Sequence, residues 1–228
     1  MPARQTLGLV IAKILDLVYP PRCLGCSAFG HWLCPGCLSR STFLSEPHYI
    51  SERDCATLRT IPVWSVGVHQ GILRQAVHAL KYDGLRALAQ PMGRLMAAIW
   101  REHRLQADYI VPVPLHSQRM KERGYNQSWL LANVLAAEVG VTATERALAR
   151  MRDTPAQVSL SAQERRANVS GAFVANNEVL SNRRVVLLDD VCTSGATLLA
   201  CAAAIEAVNG NAVAAITFTR ALRLEPDL

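Results

Sequence analysis

The hydrophobic positions of this chain switch between helical stripes and short apolar runs. Leu7, Ile11, Ile14 and Val18 open the series at the spacing of one face of an amphipathic helix. Lys13 and Asp16 interrupt this stretch, which argues against a membrane span. It also lacks the unbroken apolar centre and small-residue cleavage site of a signal peptide. Its polar face is not rich in Lys and Arg, so packing on the protein is favoured over lying on a membrane. Residues 38–60 are polar and irregular, the expected boundary between an N-terminal module (1–60) and a main domain (61–228).

Beyond it, "IPVWSVGVH" (61–69) alternates weakly and predicts a strand. In "GILRQAVHALKY" (71–82), Ile72, Leu73, Ala76, Val77 and Leu80 share one helical face, and Gly84 ends the helix. Residues 85–105 predict another helix, which Pro91 either kinks or divides. "DYIVPVP" (108–114) is a short strand, "LHSQRMKERGYNQ" (115–127) a basic loop, and "SWLLANVLAAEVG" (128–140) a helix stopped by Gly140. Residues 152–170 form a second polar loop. "RRVVLLDD" (183–190) is nearly continuous in apolar character, as a parallel strand covered on both faces should be. A helix over 196–210 and a strand over 211–220 follow. Strand–helix–strand units of this size predict an α/β fold, a parallel sheet with right-handed crossovers flanked by helices.

With 228 residues, half of them hydrophobic and 18% charged, the chain can bury a sizeable core. The net charge of +6 favours anionic partners: phosphorylated metabolites, nucleic acid or an anionic membrane surface. Charge alone does not rank these.

Cys23-Leu-Gly-Cys26 and Cys34-Pro-Gly-Cys37 are two C-x-x-C turns. Together they can supply a tetrahedral, closed and therefore structural Zn²⁺ site. A pair of disulfides is the alternative. With no signal peptide expected, a reducing cytoplasmic location favours zinc. His31, His48 and Cys55 are nearby substitutes for a ligand, and Cys192 and Cys201 read as small packing residues. Cys192 also sits in the turn described next, where its thiol is either oxidation-sensitive or inert.

"VVLLDDVCTSGATL" (185–198) joins a buried strand, the carboxylates Asp189 and Asp190, and the small-residue run Thr193, Ser194, Gly195, Ala196 and Thr197, which leads into a helix. Backbone N–H groups, hydroxyls and the helix dipole suit the turn to a phosphate. The plain alternative is a Ser/Thr-rich helix cap after two solvated acids. Two acids beside a phosphate make sense for a ligand that also carries a vicinal diol, as ribose 5-phosphate does. The carboxylates could also act on Mg²⁺. Neither G-x-x-x-x-G-K-[ST] nor G-x-G-x-x-G is present.

This stretch resembles the phosphoribosyl pyrophosphate (PRPP) motif of type I phosphoribosyltransferases. "LKYDG" (80–84), "VPVPLHSQRMKERGYNQSWLLA" (111–132), "RRANVSGAF" (165–173) and the cysteine pairs resemble the ComF family of bacterial proteins. Many relatives carry a further cysteine pair where this chain offers only Cys55, which leaves the ligand set open. The resemblance implies a type I phosphoribosyltransferase-like domain behind a small four-cysteine zinc module. It assigns the ribose hydroxyls to Asp189 and Asp190, the candidate catalytic carboxylates, and the 5′-phosphate to residues 193–197. Arg119, Lys121, Arg123 and Asn126 become candidates for the pyrophosphate side, with the arginine forks suited to bidentate contact. Arg165, Arg166 and Asn168 become a flap. Lys81 and Tyr82 face the same crevice or occupy ordinary helix positions. The implied activity is transfer of a phosphoribosyl group from Mg²⁺–PRPP to an acceptor that the residues do not identify. The other reading is an accessory protein of DNA uptake that binds single-stranded DNA, a nucleotide or DNA-uptake proteins. Oligomerisation is compatible with both.

Overall fold

The structure is a computed structural model describing residues 20–53, 58–152, 169 and 171–222. The stripe expected over 7–18, Cys55, and the flap candidates Arg165, Arg166 and Asn168 lie outside the described residues.

The main sheet contains β1 (His48–Arg53), β2 (Leu58–Val68), β3 (Tyr109–Pro112), β4 (Thr142–Ala143), β7 (Arg184–Cys192) and β8 (Asn211–Arg220). Its order is β1-β2-β8-β7-β3-β4. Every pairing is parallel except that of β1 with β2. The expected mixed α/β architecture with a mostly parallel sheet is therefore present. A separate antiparallel ribbon joins β5 (Leu148–Arg150) to β6 (Phe173–Ala175).

Alternation along β7 shows why its sequence is apolar throughout. Val186 and Leu188 join a core with α2 (Gly71–Tyr82), α3 (Ala89–Glu102) and α5 (Gln127–Val139). Val185 and Leu187 join a second core with α7 (Ala196–Glu206). Both faces are covered, so neither register position tolerates a polar residue until the acids are reached. The helical face expected from 71–82 is the buried face of α2.

Three local expectations change. Residues 38–60 were expected to be irregular, yet β1 lies among them, and Phe43 bridges to Gly67 on the same edge of β2. Backbone pairing holds that edge: Val68 N–H donates to Thr42 O at 2.9 Å and Leu44 N–H to Val66 O at 3.1 Å. The basic loop after β3 contains a helix, α4 (Ser117–Arg123), closed by Gly124 at φ 75°. Pro91 lies in the first turn of α3, after a 3₁₀ turn over Arg86–Leu88, where its missing N–H leaves no helical bond unmade. The remaining helices are short: α1 (Pro35–Leu38) in the cysteine module and α6 (Asn177–Leu180) before β7.

Helices α3 and α5 approach closely at Gly93, where an added Cβ would stand 2.6 Å from Val134 Cβ. Gly93→Ala should overpack this contact and cost about 1–3 kcal/mol. Thermal unfolding should show a lowered Tm, and an unchanged Tm would mean that the two helices part freely.

Candidate functional site

Asp189 and Asp190 lie inside β7, which continues to Cys192, so the strand carries both acids to the carboxyl edge of the sheet. Asp190 is buried, and its Oδ1 stands 2.6 Å from Lys81 Nζ. Lys81 occupies the last turn of α2. Burial works against its charge, but Asp190 more than offsets this and raises its pKa. Asp189 Oδ1 accepts from Ser128 Oγ and from the Asp190 N–H, each at 2.9 Å. Burial and the neighbouring Asp190 charge nevertheless push its pKa up to about 7. Asp190 Oδ2 is buried with no hydrogen-bond donor among the described residues.

A buried polar row continues from this pair across the strand ends. Ser65 Oγ and Thr217 Oγ1 are 2.7 Å apart, Thr217 Oγ1 donates to Thr219 O, and Thr219 Oγ1 lies 2.8 Å from His69 Nδ1. Burial, Lys81 and Arg74 lower the His69 pKa, against the opposing pull of Asp190. These influences favour its neutral form at the same edge.

After Cys192, Thr193 is exposed and Ser194 half-buried, and Gly195 has φ 76° as the N-cap of α7. The first turn of α7 contains no acidic residue, and the Ala196 N–H donates to Ser194 Oγ at 3.4 Å. Gly195 was expected to let a ligand approach. The structure adds another reason for glycine: a Cβ would meet Ile50 Cγ2 of β1 at 2.6 Å. An open cleft of about 360 Å³ adjoins the turn, lined in part by His48, Tyr49, Thr193, Ser194 and Arg220. The Arg220 Nε is buried without a partner among the described residues.

The pyrophosphate-side candidates divide into two kinds. Arg119 and Lys121 lie on α4, none of whose residues is buried, so both side chains are available at the surface. Arg123 donates to Gln127 Oε1 and sits over the Tyr82 ring at 5.4 Å. Asn126 is buried as the N-cap of α5, accepting from Ser128 N–H and donating to Val113 O at 3.1 Å. Its side chain shapes the loop's exit. Ser128, His69 and Thr219 were missed in the sequence, where they read as helix-start and strand-end residues. The usable signal was polar side chains at the carboxyl ends of otherwise apolar strands.

In the N-terminal module, the Sγ atoms of Cys23, Cys26, Cys34 and Cys37 all lie within 4.8 Å of one another. No histidine joins them among the described residues; His31 is exposed and His48 lines the cleft. Burial and the Cys26 and Cys34 thiols push the Cys37 pKa up to about 12. Burial opposes the Cys23 thiolate too, but N–H groups led by that of Cys34 bring it down to about 6. Crowded sulfurs of this kind fit a divalent cation that holds all four as thiolates. Arg40 Nη2 donates to Cys37 Sγ at 3.1 Å, a charge-compensating outer contact.

A mostly parallel sheet with an acid pair at its carboxyl edge, joined to a cysteine cluster suited to zinc, defines a mixed α/β protein with an N-terminal zinc ribbon. The family model "Double zinc ribbon domain" matches residues 14–48. Competence protein F of Haemophilus influenzae is 30% identical over 200 residues, spanning 78% of this chain and 87% of that protein. DNA utilization protein YhgH of Escherichia coli K12 is 32% identical over 204 residues, spanning 80% and 89%. The chain belongs to their family, the ComF family. Among solved structures, glutamine PRPP amidotransferase from B. subtilis is similar over 57% of this chain and 26% of that one, with TM-score 0.39 and 19% identity. Adenine phosphoribosyltransferase from Leishmania donovani is similar over 75% and 76%, with TM-score 0.37 and 11% identity. No helix among the described residues is long and apolar enough to cross a membrane.

Two outcomes follow from this geometry. Asp189 has a folded pKa raised above 3.8, so its contribution to stability is lost as pH rises toward about 7. Asp189→Asn should therefore raise Tm relative to wild type by an amount that grows from pH 5 to about 7 and then levels off. A pH-independent difference in thermal scans would refute the raised pKa. Chelation of zinc should expose Cys23, Leu33 and Cys37, which pack with Ile72 and Leu73 of α2. The expected result is a lower Tm that returns when Zn²⁺ is restored.

Proposed function

We propose that this protein binds PRPP and transfers its phosphoribosyl group to an acceptor. The ribose hydroxyls meet Asp189 and Asp190, and the 5′-phosphate meets residues 193–197. What carries this reading is the continuous strand–turn–helix that places a carboxylate pair beside a hydroxyl-bearing turn at a helix N-terminus. A diol supplies the donors that carboxylates need, and a helix N-terminus suits a phosphate. Asp190 Oδ2, lacking a donor among the described residues, is one acceptor for such a hydroxyl.

Arg119, Lys121 and Arg123 follow β3, the strand beside β7, and are the groups proposed for the pyrophosphate. Asn126 holds the end of that loop to Val113. In the reaction, the bond from ribosyl C1 to pyrophosphate oxygen breaks with its electron pair going to pyrophosphate. A lone pair of the acceptor forms the new bond to C1, and the acceptor gives up its proton. Charge on the departing pyrophosphate is where the basic residues act. Magnesium, expected with PRPP, would be held by the ligand's pyrophosphate oxygens and would help offset charge on the departing group.

A second reading, contact with single-stranded DNA, is favoured by an exposed aromatic among cations. Tyr82 is 67% exposed with the Arg123 guanidinium over its ring, and Arg86 lies over Tyr125 at 4.4 Å. The exposed Tyr82 ring can stack on a base. The names of the two relatives above, with their references to competence and DNA utilization, agree with this reading.

Calorimetric titration of the zinc-loaded protein with PRPP tests the first reading. Wild type should bind, and Asp189→Asn/Asp190→Asn should lose about tenfold or more in affinity. Equal affinity in both proteins would refute the assignment. Gly195→Ala should also weaken binding, because the new Cβ strains a positive φ and strikes Ile50.

A further inference from the structure

The acidic pair is commonly where a divalent ion would be sought, and the surroundings of Asp189 and Asp190 disagree with that placement. We propose that the Lys81 ammonium is the resident cation of this pair, occupying the position a divalent ion would take, so that a phosphoribosyl ligand engages the carboxylates without a metal between them. The ligand half of this inference rests on the PRPP reading; the cation half rests on geometry alone.

Lys81 Nζ is 2.6 Å from Asp190 Oδ1, and the lysine side chain is only 20% exposed, against 3% for Asp190. It is delivered by the last turn of α2, whose Ala79 and Leu80 are buried in the core. A metal ion at Asp190 Oδ1 would have to displace this ammonium while its helix stays packed, breaking an ion pair sheltered from water, and at Oδ2 it would stand beside the same ammonium. Like charges repel strongly at such separations. At Asp189, Oδ1 already accepts from Ser128 Oγ and the Asp190 N–H, which leaves only Oδ2 for a further contact.

The groups facing the pair reinforce the balance. His69, across the strand ends, is held toward its neutral form and adds no charge. Lys81 offsets Asp190, and Asp189 titrates near neutrality, which leaves the crevice between neutral and one negative charge. Such a crevice attracts a divalent ion weakly and repels a phosphate weakly. Two acids can therefore sit beside an anion-ready turn without driving the anion away.

The test uses the zinc-loaded full chain and two variants, Lys81→Met and Lys81→Arg. Mn²⁺ serves as a paramagnetic probe, with NMR broadening read at the Asp189 and Asp190 amides. Wild type and Lys81→Arg should stay unbroadened at Mn²⁺ concentrations that broaden Lys81→Met. Broadening of wild type at these amides, as strong as in Lys81→Met, overturns the proposal. If Lys81→Met does not fold, broadening in wild type still overturns it and its absence there, shared by Lys81→Arg, supports it.

Ribose 5-phosphate, which has no pyrophosphate to carry Mg²⁺, then probes the ligand half by calorimetry. Its affinity for the zinc-loaded wild type should change less than about twofold between buffer with Mg²⁺ and buffer made up without Mg²⁺ and without chelator, a difference under ~0.4 kcal/mol. A Mg²⁺ requirement would overturn the proposal. Failure of wild type to bind ribose 5-phosphate under both conditions, with the Mn²⁺ result as expected, would refute the PRPP reading and leave Lys81 as the resident cation.

Discussion

A carboxylate buried at the end of a sheet strand needs compensation, because removing a charge from water costs several kcal/mol even after the protein relaxes. Asp190 obtains it from Lys81, and the ion pair makes the rest of the edge depend on where α2 lies. That helix carries Ile72 and Leu73 into the core that also contains Cys23, Leu33 and Cys37. The cysteine cluster is thus joined to the acidic pair by a continuous path of packing. Zinc would stiffen the module, the module buttresses the start of α2, and the end of α2 places the ammonium. A ribbon remote from the carboxylates in sequence becomes part of their support.

The same N-terminal segment reaches the opposite side of the site through β1. Ile50 belongs to the second core and fills the space where a side chain at Gly195 would stand. The segment before β2 therefore braces the acids from one face of the sheet and the turn at Gly195 from the other. This explains why β1 is worth adding antiparallel to an otherwise parallel sheet. It covers the edge of β2 and also fixes the backbone path of the turn.

Much of the fold was legible because both faces of the sheet are covered. Continuous apolar character identified β7, and the stripe through Ile72, Leu73, Ala76, Val77 and Leu80 identified α2. The acids and the turn of the candidate site were equally visible, since they interrupt that apolar run at one place. β1 was hidden because "HYISER" is an edge strand whose pairing, not its side-chain pattern, makes it a strand. α4 was hidden because its residues are all unburied, leaving no apolar stripe to read. Lys81 was visible only as a residue that could face the crevice, because a helix position does not disclose which distant carboxylate it meets. Ser128 and His69 were lost for the same reason: their partners lie 61 and 150 residues away.

The placement of Asn126 shows how neighbouring residues of one motif take different structural tasks. Within "RGYNQ", Arg123 turns outward toward Tyr82, while Tyr125 donates back to Leu80 O and Asn126 to Val113 O. The last two contacts tie the loop to the end of α2 and to the end of β3. Leu80 is the residue before Lys81, so Tyr125 holds the backbone from which the ammonium extends. The basic loop and the acidic pair are consequently not independent patches of opposite charge. They are joined through the last turn of α2, and the geometry of one constrains the charge balance of the other.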